Sequence, residues 1–259
     1  MITDAFAHIG AWSHRPIGLG RAGLAALLEP YGVTRIYFGR LEALWFENPH
    51  DANPLAEPTQ QEDQKAELVE VPVLDPTIAT WRDELARLSK TRLPALVRLY
   101  PNYGMYTLTD ADPLLEALGK QGIIAQVIVR MEDARRQHRR AQVPDVPVEA
   151  VLGAAETHPS LRILLSGASG PELRGLASRL PKANNLWADT AQIDGLGAVA
   201  ALCKTAWLDR LVFGSHAPLF IPYSAVARVV VDLDDTTAMR ILSGNPSELF
   251  QNRAAQGDP

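Results

Sequence analysis

Residues 112–129 read Asp112-Pro113-Leu114-Leu115-Glu116-Ala117-Leu118-Gly119-Lys120-Gln121-Gly122-Ile123-Ile124-Ala125-Gln126-Val127-Ile128-Val129. Two periods meet in this stretch. Leu114, Leu115 and Leu118 recur at helical spacing, with Pro just inside the start and Gly122 just past the end, the asymmetry expected of a capped helix. Ile123–Val129 then runs almost unbroken in apolar residues, as a parallel strand does when both of its faces are covered. The same alternation extends in both directions. Strand-like runs fall at Ile2–Ile9, Thr34–Arg40, Leu68–Leu74, Ala95–Tyr100, Leu161–Leu165, Asn185–Asp189 and Arg210–Gly214. Helical spacing opens after Asp75-Pro76 (Ile78, Trp81, Leu85, Leu88) and at Gly170-Pro171 (Leu173, Leu176, Leu180). Eight strand–helix units predict an α/β fold, a single (β/α)8 TIM-like barrel over residues 1–250. The polar, Pro-bearing segment 45–64 reads as a long surface loop, and 251–259 as a flexible tail.

Composition narrows the function. The 259 residues carry 25 Lys and Arg against 30 Asp and Glu, a net charge of -5, which argues against a general nucleic-acid binder. No apolar run approaches the roughly 18 residues of a membrane span, and the first residues lack a signal-peptide pattern. One cysteine, Cys203, excludes an internal disulfide framework, so a cytoplasmic protein is expected. It lies among Ala and Leu and reads as a structural thiol. Gly18–Gly23 matches a dinucleotide fingerprint, but Ala11–Ile17 separates it from the first strand, where the glycines should sit directly on the strand–helix turn.

In such a barrel, chemistry comes from the C-terminal ends of the strands. Those ends carry His8, Arg40, Asp75, Arg98 with Tyr100 and Asn102, Arg130 with Glu132, Ser166, Asp189 and His216. The set is rich in Arg and His. Arg binds carboxylates through a planar fork, and the Tyr100–Tyr106 loop offers flat faces with hydroxyl tips. Both features suit a small anionic substrate. His14, His50 and His158 fall in loops without an assigned role, and His138 reads as a rim residue.

Three motifs carry a family resemblance. Asp4-Ala5-Phe6-Ala7-His8 resembles the first-strand D-x-H-x-H signature of the amidohydrolase superfamily. Gly214-Ser215-His216-Ala217-Pro218 resembles its last-strand G-[ST]-D-x-P, and Gly244-Asn245-Pro246-Ser247-Glu248-Leu249-Phe250 its closing G-N-x-x-x-L-F. The match is closest to the amidohydrolase-related branch, which includes small-acid decarboxylases and lactonases. The departures fall on the metal ligands. Phe6 stands for the first histidine, Gly167 for the sixth-strand histidine, and His216 for the last-strand aspartate; Arg130-Met131-Glu132-Asp133 ends the fifth strand without a histidine.

Two readings of the site follow. His8, His216 and Glu132 have ligand types for a divalent metal such as zinc. Alternatively, no cofactor is bound and the pocket is metal-independent or metal-poor. By resemblance to metal-independent lactonases, the chain would then hydrolyse a small carboxylated lactone or related carbonyl compound. His216 would be the general base and His8 would polarise the carbonyl; Arg98, Tyr100, Asn102, Arg130, Glu132 and Asp189 would bind substrate. The rival is a non-catalytic barrel that binds a small acid or a partner protein. A homodimer is expected; nucleic acid and membrane partners are not.

Overall fold

The computed structural model describes residues 1–54, 65–91 and 95–251. Its strands are β1 Ile2–Trp12, β2 Arg15–Leu19, β3 Val33–Arg40, β4 Glu67–Glu70, β5 Leu96–Leu99, β6 Ile124–Ile128, β7 Ile163–Ser166, β8 Leu186–Asp189 and β9 Leu211–Val212. The helices are α1 Arg21–Leu28, α2 Trp81–Thr91, α3 Pro101–Gly104, α4 Asp112–Gln121, α5 Val148–Thr157, α6 Gly170–Leu176, α7 Ala198–Cys203, α8 Pro222–Val230, α9 Asp235–Met239 and α10 Asn245–Phe250. Parallel ladders join β1, β3 and β4, and a second set joins β5 through β9 in chain order.

Backbone hydrogen bonds close the two sets into one barrel. Between β4 and β5, Arg98 N donates to Pro72 O (2.8 Å) and Leu74 N to Arg98 O (3.1 Å). Between β9 and β1, Ala5 N donates to Phe213 O (2.9 Å), His216 N to Phe6 O (2.7 Å) and His8 N to Ala217 O (2.7 Å). The eight-stranded α/β barrel expected from the alternation is the fold.

Strand alternation stacks the interior in layers. Ala5, Tyr37, Leu96, Ile124, Leu164, Trp187 and Val212 fill the lower end, where Leu249 and Phe250 of α10 plug it. Phe250 stacks on Tyr37 at 4.0 Å between ring centres. Two residues further along the strands come Gly39, Arg98, Gln126, Ser166 and Asp189. Above them Phe6, Trp12, Val73, Tyr100, Ile128, Met131 and Leu219 form an apolar cap at the C-terminal end. On the outside, Leu114, Leu115 and Leu118 of α4 pack on the barrel, and Gly122 closes that helix at φ 68°, as its sequence suggested.

Three local features differ from the sequence reading. Residues 11–17 are not a loop: β1 turns at Ser13-His14 into the antiparallel strand β2, with Trp12 opposite Arg15. Gly18–Gly23 therefore leaves an antiparallel hairpin rather than a parallel strand. The helix anticipated after Pro76 starts at Trp81, because Asp75 Oδ1 accepts from both the N–H (2.8 Å) and hydroxyl (2.6 Å) of Thr77 and holds a turn there. The segment that began at Trp45 is not all surface loop. Pro49–Ala52 is a 3-10 turn, and Asn53 is buried, exchanging hydrogen bonds with the Val73 backbone at 2.7 and 2.8 Å. Residues 55–64 of that segment, and 252–259 of the tail, lie outside the described residues.

Candidate functional site

A bulge in β1 sets up the centre. Asp4 pairs with Ile36 and Ala7 with Phe38, so Ala5 and Phe6 together oppose Tyr37. One extra residue re-aims the strand, and the Phe6 and His8 rings meet at 4.8 Å near the axis. From the other seam comes His216, in the left-handed backbone region at φ 56°. Its ring stacks on Phe6 at 4.5 Å and meets His8 edge-on at 4.8 Å. His8, His216, Arg98 and Phe6 are all fully buried.

The hydrogen bonds fix the protonation of this group. His216 Nε2 lies 2.5 Å from Met131 O; a carbonyl only accepts, so Nε2 carries the proton. The lone pair of His216 is then on Nδ1, 3.1 Å from His8 Nε2, which must be the donor. His8 Nδ1 is left as acceptor, 3.3 Å from Arg98 Nη1. The chain thus runs one way: Arg98 N–H to His8, His8 N–H to His216, His216 N–H to Met131 O. Both imidazoles are neutral. Burial and the Arg98 charge hold His8 well below its ordinary pKa, and burial foremost brings His216 down to about 3.

Among the described residues Arg98 has no direct carboxylate partner. Its Nε donates to Gln126 Oε1 (2.8 Å), Nη1 to Ala7 O (3.0 Å) and Nη2 to Tyr37 O (3.4 Å). Gln126 passes the network on to Ser166 Oγ (2.9 Å) and Ala5 O (3.1 Å). A Cβ at Gly39 would sit 2.4 Å from Arg98 Nη1, so glycine there leaves the space the guanidinium fills. Two buried carboxyls face the cation across the network. Asp4 Oδ1 accepts from Phe6 N and Ser215 N, both at 3.0 Å, tying the β1 bulge to the last-strand turn. Asp189 Oδ1 accepts from Ala191 N at 2.9 Å. Burial raises each to about 6, and the surrounding hydrogen bonds pull the other way.

The remaining expected site residues are distributed as follows. Arg130 lies at the edge: its Nε donates to Asp145 (2.7 Å) and Nη2 to Glu172 (2.8 Å), so two carboxylates already occupy its fork. Glu172 in turn accepts from Ser169 N, a capping box on α6. Glu132 is buried beneath the β1–β2 hairpin, bound by Arg15 (2.5 Å), His14 (3.1 Å) and the Trp12 indole N–H (3.2 Å). Tyr100 is buried in the apolar cap below Tyr103, and Asn102 is half-buried on α3, where its Oδ1 accepts from Tyr103 N. Arg40 pairs with Glu70, and His50 Nε2 accepts from Asp75 N. Cys203 is half-buried, with its thiol pushed up to about 11 by burial.

The donor set does not fit a divalent cation. A metal needs imidazole lone pairs, and here one faces the Arg98 cation and the other receives the His8 proton. The Phe6 ring lies against both histidines. A Cβ on Gly167, itself at φ 87°, would fall 2.4 Å from Arg130 O, so no ligand side chain can be carried there. Among the described residues no three His, Cys, Asp or Glu side chains converge as a metal set.

A family model described as "Amidohydrolase" matches residues 15–251. The chain belongs to the amidohydrolase family. No curated protein matches it in sequence. Solved structures with the same fold include 5-carboxyvanillate decarboxylase from Sphingomonas paucimobilis (TM-score 0.71, 11% identity, 96% of this chain and 98% of that one). Another is 2,6-dihydroxybenzoate decarboxylase from Rhizobium (TM-score 0.71, 14% identity, 99% of each chain). A third is dihydroorotase from Campylobacter jejuni (TM-score 0.57, 13% identity, 96% of this chain and 82% of that one). At these identities the likeness is one of fold. At the centre of this amidohydrolase-family chain, neutral histidines and a guanidinium are bonded to one another. No helix among the described residues is long and apolar enough to cross a membrane.

Proposed function

We propose that this amidohydrolase-family chain has no metal-dependent step at its barrel centre, and that it receives a small carboxylated aromatic or related carbonyl compound at the rim above it. The observation that carries the reading is the directional chain from Arg98 through His8 and His216 to Met131 O. Every lone pair and proton of the two rings is used within it. A general base must offer a lone pair to the proton it removes, and the His216 lone pair is directed at His8. The lactonase-like mechanism with His216 as base is therefore not the one the geometry favours. The centre acts instead as a polar core that holds the barrel's two seams in register.

The rim supports the ligand class. Trp45, 37% exposed, meets the Trp12 and Tyr103 rings, and Phe46, next to it in the chain, is 46% exposed; both offer flat apolar contact. The loop after β6 presents Arg136, Arg139 and Arg140 with no carboxylate partner among the described residues. Two solved structures of the same fold carry names of carboxylated-aromatic decarboxylases, which agrees with that class.

Metal analysis combined with ligand titration tests this. Protein purified in metal-supplemented medium should hold well under one equivalent of zinc or manganese, and a chelator should leave its melting temperature unchanged. Tryptophan fluorescence should respond saturably to 2,6-dihydroxybenzoate and lose the response at high salt. A stoichiometric metal whose removal lowers the melting temperature would contradict the proposal.

A further inference from the structure

We infer that the outer face of α8 is where a second copy of this chain docks, the two α8 helices lying antiparallel across a two-fold axis near Ala227. The inference goes beyond the reading of the barrel mouth and does not depend on it.

The helix is apolar on both sides. Pro222, Ala225 and Val229, at i, i+3 and i+7, are buried, and Ala225 and Val229 join the main core. The opposite face carries Tyr223, Ala227, Val230 and Val231, at i, i+4, i+7 and i+8. The one charged residue of the helix, Arg228, is turned back to the barrel end: Nη1 donates to Ala191 O at 2.6 Å and Nη2 to Asp194 Oδ1 at 2.9 Å. A helix that is apolar all round belongs in an interior, and at nine residues this one is too short to cross a membrane.

The face extends past both ends of the helix. Ile221 immediately precedes it, and the bond from Gly197 N to Asp232 Oδ2 (2.8 Å) brings Leu196 beside the Val230-Val231 end. Ten large apolar residues are exposed among the described residues, and Leu196, Ile221, Tyr223, Val230 and Val231 are five of them. Ile221, Tyr223 and Val231 are 69%, 68% and 71% exposed. That concentration separates this face from apolar side chains scattered singly over a surface.

Its size and pattern select a second copy. The five side chains expose roughly 600 Å², at the upper end of what a monomer leaves in one patch and near the about 800 Å² that each partner buries in a standard interface. The outer face of α8 bears no charge, so it needs no opposite charge across from it and can meet itself, as a two-fold interface requires. In the antiparallel arrangement Tyr223 lies on the partner's Val230 and the partner's Val231. Ser224 and Ala227 fall at the crossing, and their small side chains let the axes come to the about 8 Å of closely packed helices. Residues 55–64, 92–94 and 252–259 hold two large apolar side chains, Leu55 and Leu93, too few to cover the face from within this chain. The exposed carboxylates around it, Asp194, Asp232, Asp234 and Asp235, disfavour an anionic lipid surface. Docking there braces the loop that carries His216, since Phe220 N donates to His216 O at 3.1 Å and the two rings meet at 4.7 Å.

Sedimentation velocity of the full-length protein at micromolar concentrations tests the face. The wild type should run as a dimer. Val231→Glu sets like charges into the contact and should raise the dimer dissociation constant by about 10²-fold or more. Tyr223→Arg should do the same, and it carries the test if Val231→Glu fails to fold; circular dichroism checks both. In a Cys203→Ser background, Ala227→Cys should form a disulfide-linked dimer on mild oxidation, and Glu149→Cys on the exposed side of α5 should not. A wild type that stays monomeric, including one that sediments instead with phosphatidylcholine vesicles, overturns the inference. So does a dimer that the folded variants leave intact, or one that cross-links as readily through Glu149→Cys as through Ala227→Cys.

Discussion

Arg98→Met should be the most damaging single substitution in the barrel, lowering stability by about 3–5 kcal/mol, the cost of removing one partner from a buried charged network. The loss has identifiable parts. His8 Nδ1, Gln126 Oε1, Ala7 O and Tyr37 O all lose a donor where water cannot replace it. Asp4 and Asp189 lose the cation that favours their ionised forms. The hole beside Gly39 also remains, since methionine cannot span the same space. Domains are stable by only about 5–15 kcal/mol, so a low yield of folded protein is part of the expectation. Arg98→Lys keeps the charge but not the fork, and should lose less. Urea unfolding midpoints of the three proteins measure this. An Arg98→Met midpoint equal to that of the wild type would mean that the network is not holding the barrel together.

The pH dependence of stability should reflect two opposed contributions from the buried core. Asp4 and Asp189 are raised from 3.8 to about 6, so between those values the folded state holds two protons that the unfolded chain has released. On their own, they make stability fall as pH rises through that window and remain lower above it. The histidines act oppositely. The unfolded chain protonates both below 6.5, while His216 folded does so only near 3 and His8 stays well below its ordinary value. From about pH 4 to 6 the two effects cancel in this quartet, and below it the histidine term is left to unfold the protein. Asp4→Asn breaks the balance. The substituted amide can keep both backbone hydrogen bonds through its Oδ1 and mimics the protonated acid. At pH 7.5 the variant should match the wild type or exceed it by roughly 1–3 kcal/mol, since a shift of about two units is worth up to about 3 kcal/mol. At pH 4.5 that advantage should vanish. Urea midpoints at the two pH values decide it: an Asp4→Asn protein that is weaker at 7.5 and stronger at 4.5 refutes the assignment.

The fold was readable because it rests on periodicity. Leu114, Leu115 and Leu118 before Gly122, followed by the Ile123–Val129 run, state one strand–helix unit, and repetition closes the barrel. The site was less readable, since sequence position at a strand end does not say which way a polar group is bonded. Arg130 and Arg98 look alike in the sequence. Loops distant in the chain bring Asp145 and Glu172 to the first, whereas Gly39 opens a fully buried place for the second. One signal of the network lies in the sequence: Gln126 is a lone amide within an apolar strand and pairs in register with Arg98. A polar pair at one level of two adjacent strands marks a buried network rather than an open pocket. The β1–β2 hairpin is not legible in the sequence because Ser13-His14 is not among the Gly-rich or Asn-Gly turns that announce a tight hairpin. With it went the partners of Glu132, which come from the turn and not from a strand end.

The most direct test of the central claim is nitrogen NMR of the His8 and His216 side chains from pH 5 to 8, in the presence and absence of zinc. Both rings should be neutral tautomers protonated at Nε2, with Nδ1 acting as acceptor. Neither should titrate across that range or respond to the metal. A ring that titrates near 6.5, carries its proton on Nδ1, or shifts with stoichiometric zinc would contradict the account.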